Sequence, residues 1–220
     1  MEVLTYTLVG DLIMASDNEV LQLSEELIIG VGNHKTAYKH PSDCTLCVKL
    51  IHSEPDSDID RELEVREKCK KRLAKFLLLP RYYGTIQTNL GRGYVFEMIC
   101  DYDGGVSRTL KDLLRAKVAG KDSEFDVMEL LLDFKEKWFI ECVPVSNTDS
   151  HNWVLQALAP GKGVLKIIDN IGTSVKIPLA YYFDYFAKKR AGRYWMRFVK
   201  QLHKECPTII TDKEVQILLR

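Results

Sequence analysis

Four polar features, each beside an apolar run, have the types and the order needed to hold a nucleotide triphosphate. The first is the glycine turn, residues 30–35, which reads Gly-Val-Gly-Asn-His-Lys. Lys49 lies inside a second apolar run, and Asn152 and Asp169 flank two further runs far downstream. Glycine lets a backbone approach phosphate oxygens, and amide and carboxylate oxygens suit magnesium. The combination, rather than any one member, predicts a site for a nucleotide and a metal ion.

Each feature also has an ordinary structural interpretation. The glycine turn fits a tight hairpin, and it is neither a dinucleotide-binding nor a P-loop motif, because a strand pattern follows it without Gly-Lys-Ser/Thr. Asp169, followed by Asn170-Ile171-Gly172, fits a turn with a capping carboxylate. These alternatives stay open for each feature taken singly.

Lys49 stands among apolar strand residues, where a buried ammonium group is costly unless it is paired. One interpretation places it on an edge strand with its tip in solvent. The other pairs it with a carboxylate of the following helix and directs it at phosphates. Glu62, Glu64 and Glu67 are the candidate partners, and Glu62 is preferred because it adjoins the apolar face of that helix.

The composition is that of a globular protein with a substantial core: 220 residues, 46% hydrophobic and 28% charged. The formal net charge of zero argues against a broad electrostatic surface for nucleic acid, although a local basic patch remains compatible with it. No apolar run reaches about 18 residues, so we expect no membrane span. Cys44 and Cys47 have redox or zinc spacing without a second motif, which favours reduced thiols in a cytoplasmic protein.

The elements that must position these residues follow from hydrophobic periodicity. Five strand patterns are predicted over residues 19–29, 36–39, 45–51, 81–87 and 93–100. An amphipathic helix over 61–78, ended by Pro80, is inserted after the third strand. After a break at 101–105, helices are predicted over 109–117, 124–139 and 181–203, with short strands at 153–156 and 165–168.

This order of elements resembles the protein kinase-like fold. Within that superfamily the sequence closely resembles the YrbL family of bacterial PhoP-regulatory-network proteins, from about residue 23 to about residue 198. The stretches that carry the resemblance are 79–84, 93–99, 101–104, 169–174 and 177–179. The resemblance implies an α+β, bilobal fold within one kinase-like domain. Residues 1–100 would form an N-lobe with a five-stranded antiparallel sheet and one helix, and residues 101–220 a mainly helical C-lobe.

The resemblance also implies roles for residues of the first half. Gly30 and Gly32 would cover the phosphates of ATP. Lys35, where many kinases have a third glycine, would add a phosphate contact. Lys49 would bind the α- and β-phosphates and pair with Glu62.

Further roles concern the adenine and the metal ion. Glu97 and Ile99 would offer backbone hydrogen bonds to the adenine, with Phe96 at the back of its pocket. Asn152 and Asp169 would hold magnesium.

One position departs from the kinase pattern. The catalytic aspartate is expected five residues before the metal-binding asparagine, and that position is Asn147. An amide cannot accept the proton of a substrate hydroxyl as a carboxylate does. Asp149, two residues later, would restore the function if the loop brought it into place. His151 is interpreted as structural.

Three functions therefore remain to be compared. The first is an ATP- and magnesium-dependent phosphotransferase with an unknown acceptor. The second is a non-catalytic pseudokinase that senses nucleotide or binds a protein partner. The third is nucleic-acid binding by a basic helix, which the zero net charge and the nucleotide-site pattern disfavour most. The basic, aromatic segment 185–197 could contact RNA or a membrane surface, but a solvated helix face over a core stripe is the preferred interpretation.

Overall fold

A computed structural model describes residues 8–9, 12–13, 20–52, 57–122, 124–173, 175 and 178–220. The chain divides into two compact units. The first contains the chain before Ser57 together with Pro80–Met98, and the second contains Ser57–Leu79 and Ile99–Arg220. Residues 174 and 177, which belong to stretches that carry the family resemblance, lie outside the described residues.

The first unit is built on an antiparallel sheet. Two short strands, β1 (Leu8–Val9) and β2 (Leu12–Ile13), pair separately as a hairpin. The five strands of the main sheet, in the order β3-β4-β5-β7-β6, are β3 (Ile28–Val31), β4 (Lys35–Lys39), β5 (Leu46–Ile51), β6 (Tyr82–Thr88) and β7 (Gly91–Glu97). The predicted α+β class and five-stranded antiparallel sheet are confirmed.

The register of this sheet places Lys49 in its centre. Lys49 lies between Ala37 of β4 and Tyr94 of β7. Next to it, Val48 and Leu50 pack in a small core that also contains Leu23 and Tyr38. These apolar contacts fix the strand that carries the lysine.

In its described residues, the second unit combines six α-helices and a short 3-10 helix (Ser150–Asn152) with a two-stranded sheet. Its elements are α1 (Ser57–Lys68), α2 (Leu110–Val118), α3 (Val127–Glu141), β8 (Trp153–Ala159), β9 (Lys162–Ile167), α4 (Leu179–Tyr182), α5 (Asp184–Glu205) and α6 (Asp212–Leu219). Thr109 and Asp126 cap α2 and α3 by accepting backbone N–H bonds of the first turn. None of the helices in the described ranges is sufficiently long and apolar to span a membrane.

Aromatic packing forms the centre of the second unit. Trp153 of β8 stacks on Phe198 of α5, with ring centroids 3.9 Å apart, and Phe134 of α3 lies 4.5 Å from the Trp153 ring. All three side chains are fully buried. Because Trp153 directly follows Asn152, this packing anchors the backbone next to the predicted metal ligand.

The helix that follows β5 differs from its prediction. It covers Ser57–Lys68 rather than 61–78, so Pro80 does not end it. The chain continues through turns in which Phe76 adopts a positive φ of 48°. Cys69 and Leu73 are nevertheless buried, because these turns also direct apolar side chains into the core of the second unit. Helical periodicity alone does not distinguish such a segment from a helix.

Two other differences concern the division of the chain. Segment 57–79 groups with the second unit, whereas the sequence places it in the first half, because Val65, Cys69 and Leu73 pack with the later helices. The predicted helix 181–203 is divided at Phe183 into α4 and α5, and α6 follows without having been predicted.

Candidate functional site

In the first unit, the glycine turn joins β3 to β4. The N–H of Gly32 donates to the carbonyl of Lys35 at 2.8 Å, which closes the turn. Gly30 and Gly32 are exposed, and neither has a positive φ. A Cβ added at Gly30 would meet no atom within 4 Å. The chain itself therefore does not require glycine at position 30.

The conformation of this turn is held from the end of β5. The N–H of His52 donates to the carbonyl of His34 at 2.9 Å. The ring Nε2 of His52 lies 2.7 Å from Thr36 Oγ1. Two strands thus support the turn, as a preorganised phosphate-binding turn would require.

Lys49 lies on the central strand and is only 8% exposed, so it is not an edge residue with a solvated tip. Its Nζ is 4.2 Å from the centroid of the Phe96 ring. Such a cation–π contact offsets part of the cost of removing an ammonium group from water. The expected pairing of Lys49 with Glu62 stays a prediction.

Phe96 and Glu97 end the strand next to Lys49. Phe96 is fully buried, with its ring centroid 5.0 Å from that of Tyr82. Glu97 Oε2 accepts the backbone N–H of Arg81 at 2.9 Å, so its side chain is held within the sheet. The role predicted for Glu97 requires only its backbone carbonyl, which this contact leaves in place.

Ile99 belongs to the second unit and is buried. Its carbonyl accepts the N–H of Ser107 at 3.0 Å. Within the described parts of the chain, no backbone carbonyl accepts the N–H of Ile99. A buried backbone donor of this kind suits a ligand acceptor.

In the second unit, two loops that carry the downstream site residues lie side by side. The N–H of Ile168 donates to the carbonyl of Asn152 at 2.9 Å, and the N–H of Ser146 donates to that of Asn170 at 2.8 Å. The first loop precedes β8 and the second follows β9. The two strands pair along their length, from Trp153 opposite Ile167 to Ala159 opposite Lys162. The hairpin therefore brings the predicted metal-binding residues to one end of the sheet.

Asn147, Asp149 and Asn152 form a hydrogen-bonded group within the first loop. Asn147 Oδ1 accepts Asn152 Nδ2 at 2.9 Å and the backbone N–H of Asp149 at 3.3 Å. Asn152 is only 4% exposed. With its amide nitrogen directed at Asn147, the Asn152 side chain presents its oxygen on the opposite side, as a metal ligand must.

Asp169 opens the second loop. Its Oδ1 accepts the backbone N–H of Asn170 at 2.6 Å, and Asn170 has a positive φ of 59°. The turn interpretation of Asp169 is thus correct as a description of its local geometry. This geometry does not by itself exclude metal binding, because a carboxylate can accept several hydrogen bonds or ligate an ion.

Asp149 is held by α5. Gln201 Nε2 donates to Asp149 Oδ1 at 2.9 Å, and Gln201 Oε1 accepts Thr148 Oγ1 at 3.2 Å. Glu205 extends the network by accepting Ser150 Oγ at 3.1 Å. Gln201 and Glu205 were not predicted from the sequence, since no motif or spacing relates them to a loop about 50 residues earlier.

The three candidate carboxylates of α1 differ in environment. Glu62 is 1% exposed and accepts Arg66 Nη2 at 2.6 Å. Glu64 and Glu67 form ion pairs with Lys68 and Lys70 on the helix surface. Glu62 is thus the buried carboxylate of the three, as the preference for it anticipated.

The predicted residues therefore fall into two sets. The first unit holds the glycine turn with Lys35, and also Lys49, Phe96 and Glu97; the second holds Glu62, Ile99, Asn147, Asp149, Asn152 and Asp169. The structure brings Asn147, Asp149 and Asn152 into direct contact and places the Asp169 loop beside them. Across the described ranges, no cluster of three or more His, Cys, Asp or Glu side chains is arranged to hold a metal ion.

The fold and the loops thus define a protein of the α+β class that has a five-stranded antiparallel sheet and paired polar loops. The chain belongs to the family described as PhoP regulatory network protein YrbL, whose model matches residues 21–203. It is 29% identical over 185 residues to the uncharacterized protein YrbL of Escherichia coli (strain K12), covering 83% of this chain and 88% of that protein. The protein of the same description from Shigella flexneri gives the same identity and coverage.

Proposed function

We propose that this protein binds ATP with magnesium in a protein kinase-like bilobal fold and transfers the γ-phosphoryl group to an acceptor. The observation that carries the proposal is the pairing of the Asn152 and Asp169 loops, with the Asn152 amide oriented by Asn147. An amide oxygen and a carboxylate are two hard ligands, which is the number a magnesium ion commonly takes from protein when phosphates supply others. The donor set therefore fits the ion.

The nucleotide would use groups of matching chemistry. The open glycine turn suits phosphate oxygens, and the Lys49 ammonium supplies the positive charge they require. The Glu97 carbonyl and the Ile99 N–H offer an acceptor and a donor for the adenine edge. The Phe96 ring, buried next to Glu97, would supply an apolar contact for the adenine.

Bound magnesium would neutralise charge that develops on the transferred phosphoryl group. The acceptor hydroxyl would form a bond to the γ-phosphorus as the bond to the β-phosphate oxygen breaks, and ADP would leave. Asn147 has no basic oxygen, so the hydroxyl proton would pass to the carboxylate of Asp149, one oxygen of which receives Gln201. Positioning and charge neutralisation would then supply most of the rate acceleration.

Asn147 favours a second function, that of a pseudokinase that binds nucleotide without transferring phosphate. The Asn147 amide occupies the position of the expected base and is engaged in two hydrogen bonds. Such a protein would keep the nucleotide-dependent conformation and lack turnover.

A thermal-shift titration with ATP, with and without MgCl₂, tests nucleotide binding. At a ligand concentration 100 times Kd the stabilisation is about 2.7 kcal/mol, or roughly 5–10 °C in Tm for a chain of this size. K49M should reduce the ATP shift, whereas D169N should remove mainly its magnesium-dependent part. K71M and D103N, at exposed positions, are the matched controls. A wild-type protein with no shift contradicts both functions.

Turnover with γ-labelled ATP then separates the two functions. Phosphate release or autophosphorylation by the wild-type chain, lost in D169N, supports phosphotransfer. Binding without turnover, together with turnover in N147D, supports the pseudokinase.

A further inference from the structure

We propose that the exposed face of α5, with the aromatic residues at its start, is a docking surface for an anionic lipid bilayer. Residues 185–204 contain seven Lys and Arg residues and neither Asp nor Glu. The whole chain has a formal net charge of zero, so the remaining residues carry an equal excess of negative charge. Positive charge is thus concentrated in one helix. This proposal is independent of nucleotide binding.

Most of these charges lie on one exposed side of the helix. Six of the seven side chains are exposed, and five of them share one side, which we call the basic face: Lys189, Arg193, Arg197, Lys200 and Lys204. Lys188 is exposed about 100° further round the helix. Arg190, the seventh, is turned inward and donates to the carbonyl of Val145 at 2.8 Å. The side opposite the basic face carries the buried core residues Trp195, Phe198 and Leu202. At about 1.5 Å per residue, the basic face extends over roughly 22 Å.

An aromatic cluster adjoins the start of the basic face. Its members, with their exposed fractions, are Tyr182 (56%), Phe183 (55%), Tyr185 (68%) and Phe186 (41%). The core-stripe interpretation of this segment accounts for Trp195 but not for Tyr185 and Phe186, which lie outside the core. Exposed phenylalanine rings next to one another are costly in water and commonly mark an interaction surface.

The arrangement of the rings favours a bilayer over nucleic acid. Phe186 meets Phe183 at 70° and Tyr185 at 79°, with centroid distances of 6.2 and 5.3 Å. These edge contacts produce a compact apolar protrusion rather than parallel rings between which a base could stack. Phenylalanine suits the boundary of the acyl chains, tyrosine the headgroup level, and lysine and arginine the anionic headgroups.

Vesicle co-sedimentation of the full chain tests the proposal. With 30% phosphatidylglycerol in phosphatidylcholine, we expect binding that weakens as NaCl rises from 50 to 300 mM, and much less binding to phosphatidylcholine alone. The triple variant K189E/R193E/K200E should lower partitioning at least about 100-fold, since each basic residue near such a surface contributes roughly fivefold or more. F183S/F186S should lower it while leaving the charge unchanged.

The matched control is K71E/R92E/K213E, which makes the same change in net charge at exposed positions outside α5. An equal loss of vesicle binding in this control would show that net charge alone explains the effect, and it would overturn the proposal. Circular dichroism and Tm of each variant establish that it is folded.

A fluorescent reporter gives a second measurement that does not depend on loss of binding. F186W should be quenched by brominated phosphatidylglycerol if the aromatic cluster enters the bilayer. Binding to a 20-nucleotide single-stranded RNA in the absence of vesicle binding would instead identify nucleic acid as the occupant and refute the bilayer proposal.

Discussion

Asn152 donates a hydrogen bond from Nδ2 to Oδ1 of Asn147 at 2.9 Å. Asn147 lies five positions before Asn152 in the chain, and the contact orients both amides. The acceptor oxygen of Asn147 also receives the N–H of Asp149. An aspartate at position 147 could accept both bonds through a carboxylate oxygen.

N147D should therefore keep the loop geometry while adding a proton acceptor. If the protein transfers phosphate slowly, the substitution should raise kcat by about 100-fold or more, the usual contribution of a positioned general base. The measurement is turnover of γ-labelled ATP at saturating magnesium. N147A removes both the acceptor oxygen and the base, so it should show no increase.

An unchanged rate in N147D, with ATP binding intact, would mean that the proton acceptor lies elsewhere. In that case D149A tests Asp149, the remaining candidate for the base, because this substitution would abolish turnover only if Asp149 accepts the proton. Stability of N147D and D149A, measured by urea unfolding, separates a loss of chemistry from a loss of fold.

Gln201 is predicted to hold the Asp149 loop in place. Q201A removes one bond to Asp149 and one to Thr148, both partly buried, and should lower the free energy of unfolding by about 1–3 kcal/mol. Urea denaturation measures this effect. Q216A, at an exposed position of α6, is the matched control and should change stability by less than about 0.5 kcal/mol. A loss below that value in Q201A would contradict the predicted role of Gln201.

Local patterns predicted much of the molecule, and distant contacts account for most of what they missed. Four of the five sheet strands follow closely from alternation and turn residues, whereas the first covers Ile28–Val31 rather than 19–29. The Asn147–Asn152 spacing lies within one loop. Gln201 reaches that loop from α5, a contact that arises only when α3, β8 and α5 pack around Trp153. No local pattern encodes such a contact.

Segment 69–79 illustrates a second limit of prediction from local sequence patterns. Leu73 and Cys69 are buried in irregular turns, so their apolar spacing resembles that of a helix without forming one. Lys49 shows the reverse case. Its apolar neighbours left an edge position open beside the favoured buried one, and pairing of β5 with both β4 and β7 decided between them. Pairing partners are a property of the whole sheet.

Gly172 is predicted to be the least replaceable glycine beside the candidate metal loop. Its φ is +111°, and an added Cβ would lie 2.6 Å from Arg61 Cβ and 3.1 Å from the Arg61 carbonyl oxygen. G172A combines backbone strain with a clash against α1, so it should cost about 2–4 kcal/mol. Gly120 has a φ of +65° with no atom near a Cβ, so G120A should cost only about 1–2 kcal/mol. Equal losses in the two variants would show that the contact with Arg61 is unimportant.

His40 should make the stability of the protein depend on pH. The imidazole is buried, and burial lowers its pKa below the ordinary value of 6.5, although Asp43 opposes the shift. Between the lowered pKa and 6.5 the unfolded chain binds more protons than the folded chain, so stability falls as the pH drops below 6.5. Urea unfolding from pH 8 to 5 measures this loss. H40N should reduce the slope in that interval, whereas H151N, at an exposed position, should keep the wild-type slope. A wild-type slope in H40N would assign the pH dependence to another group.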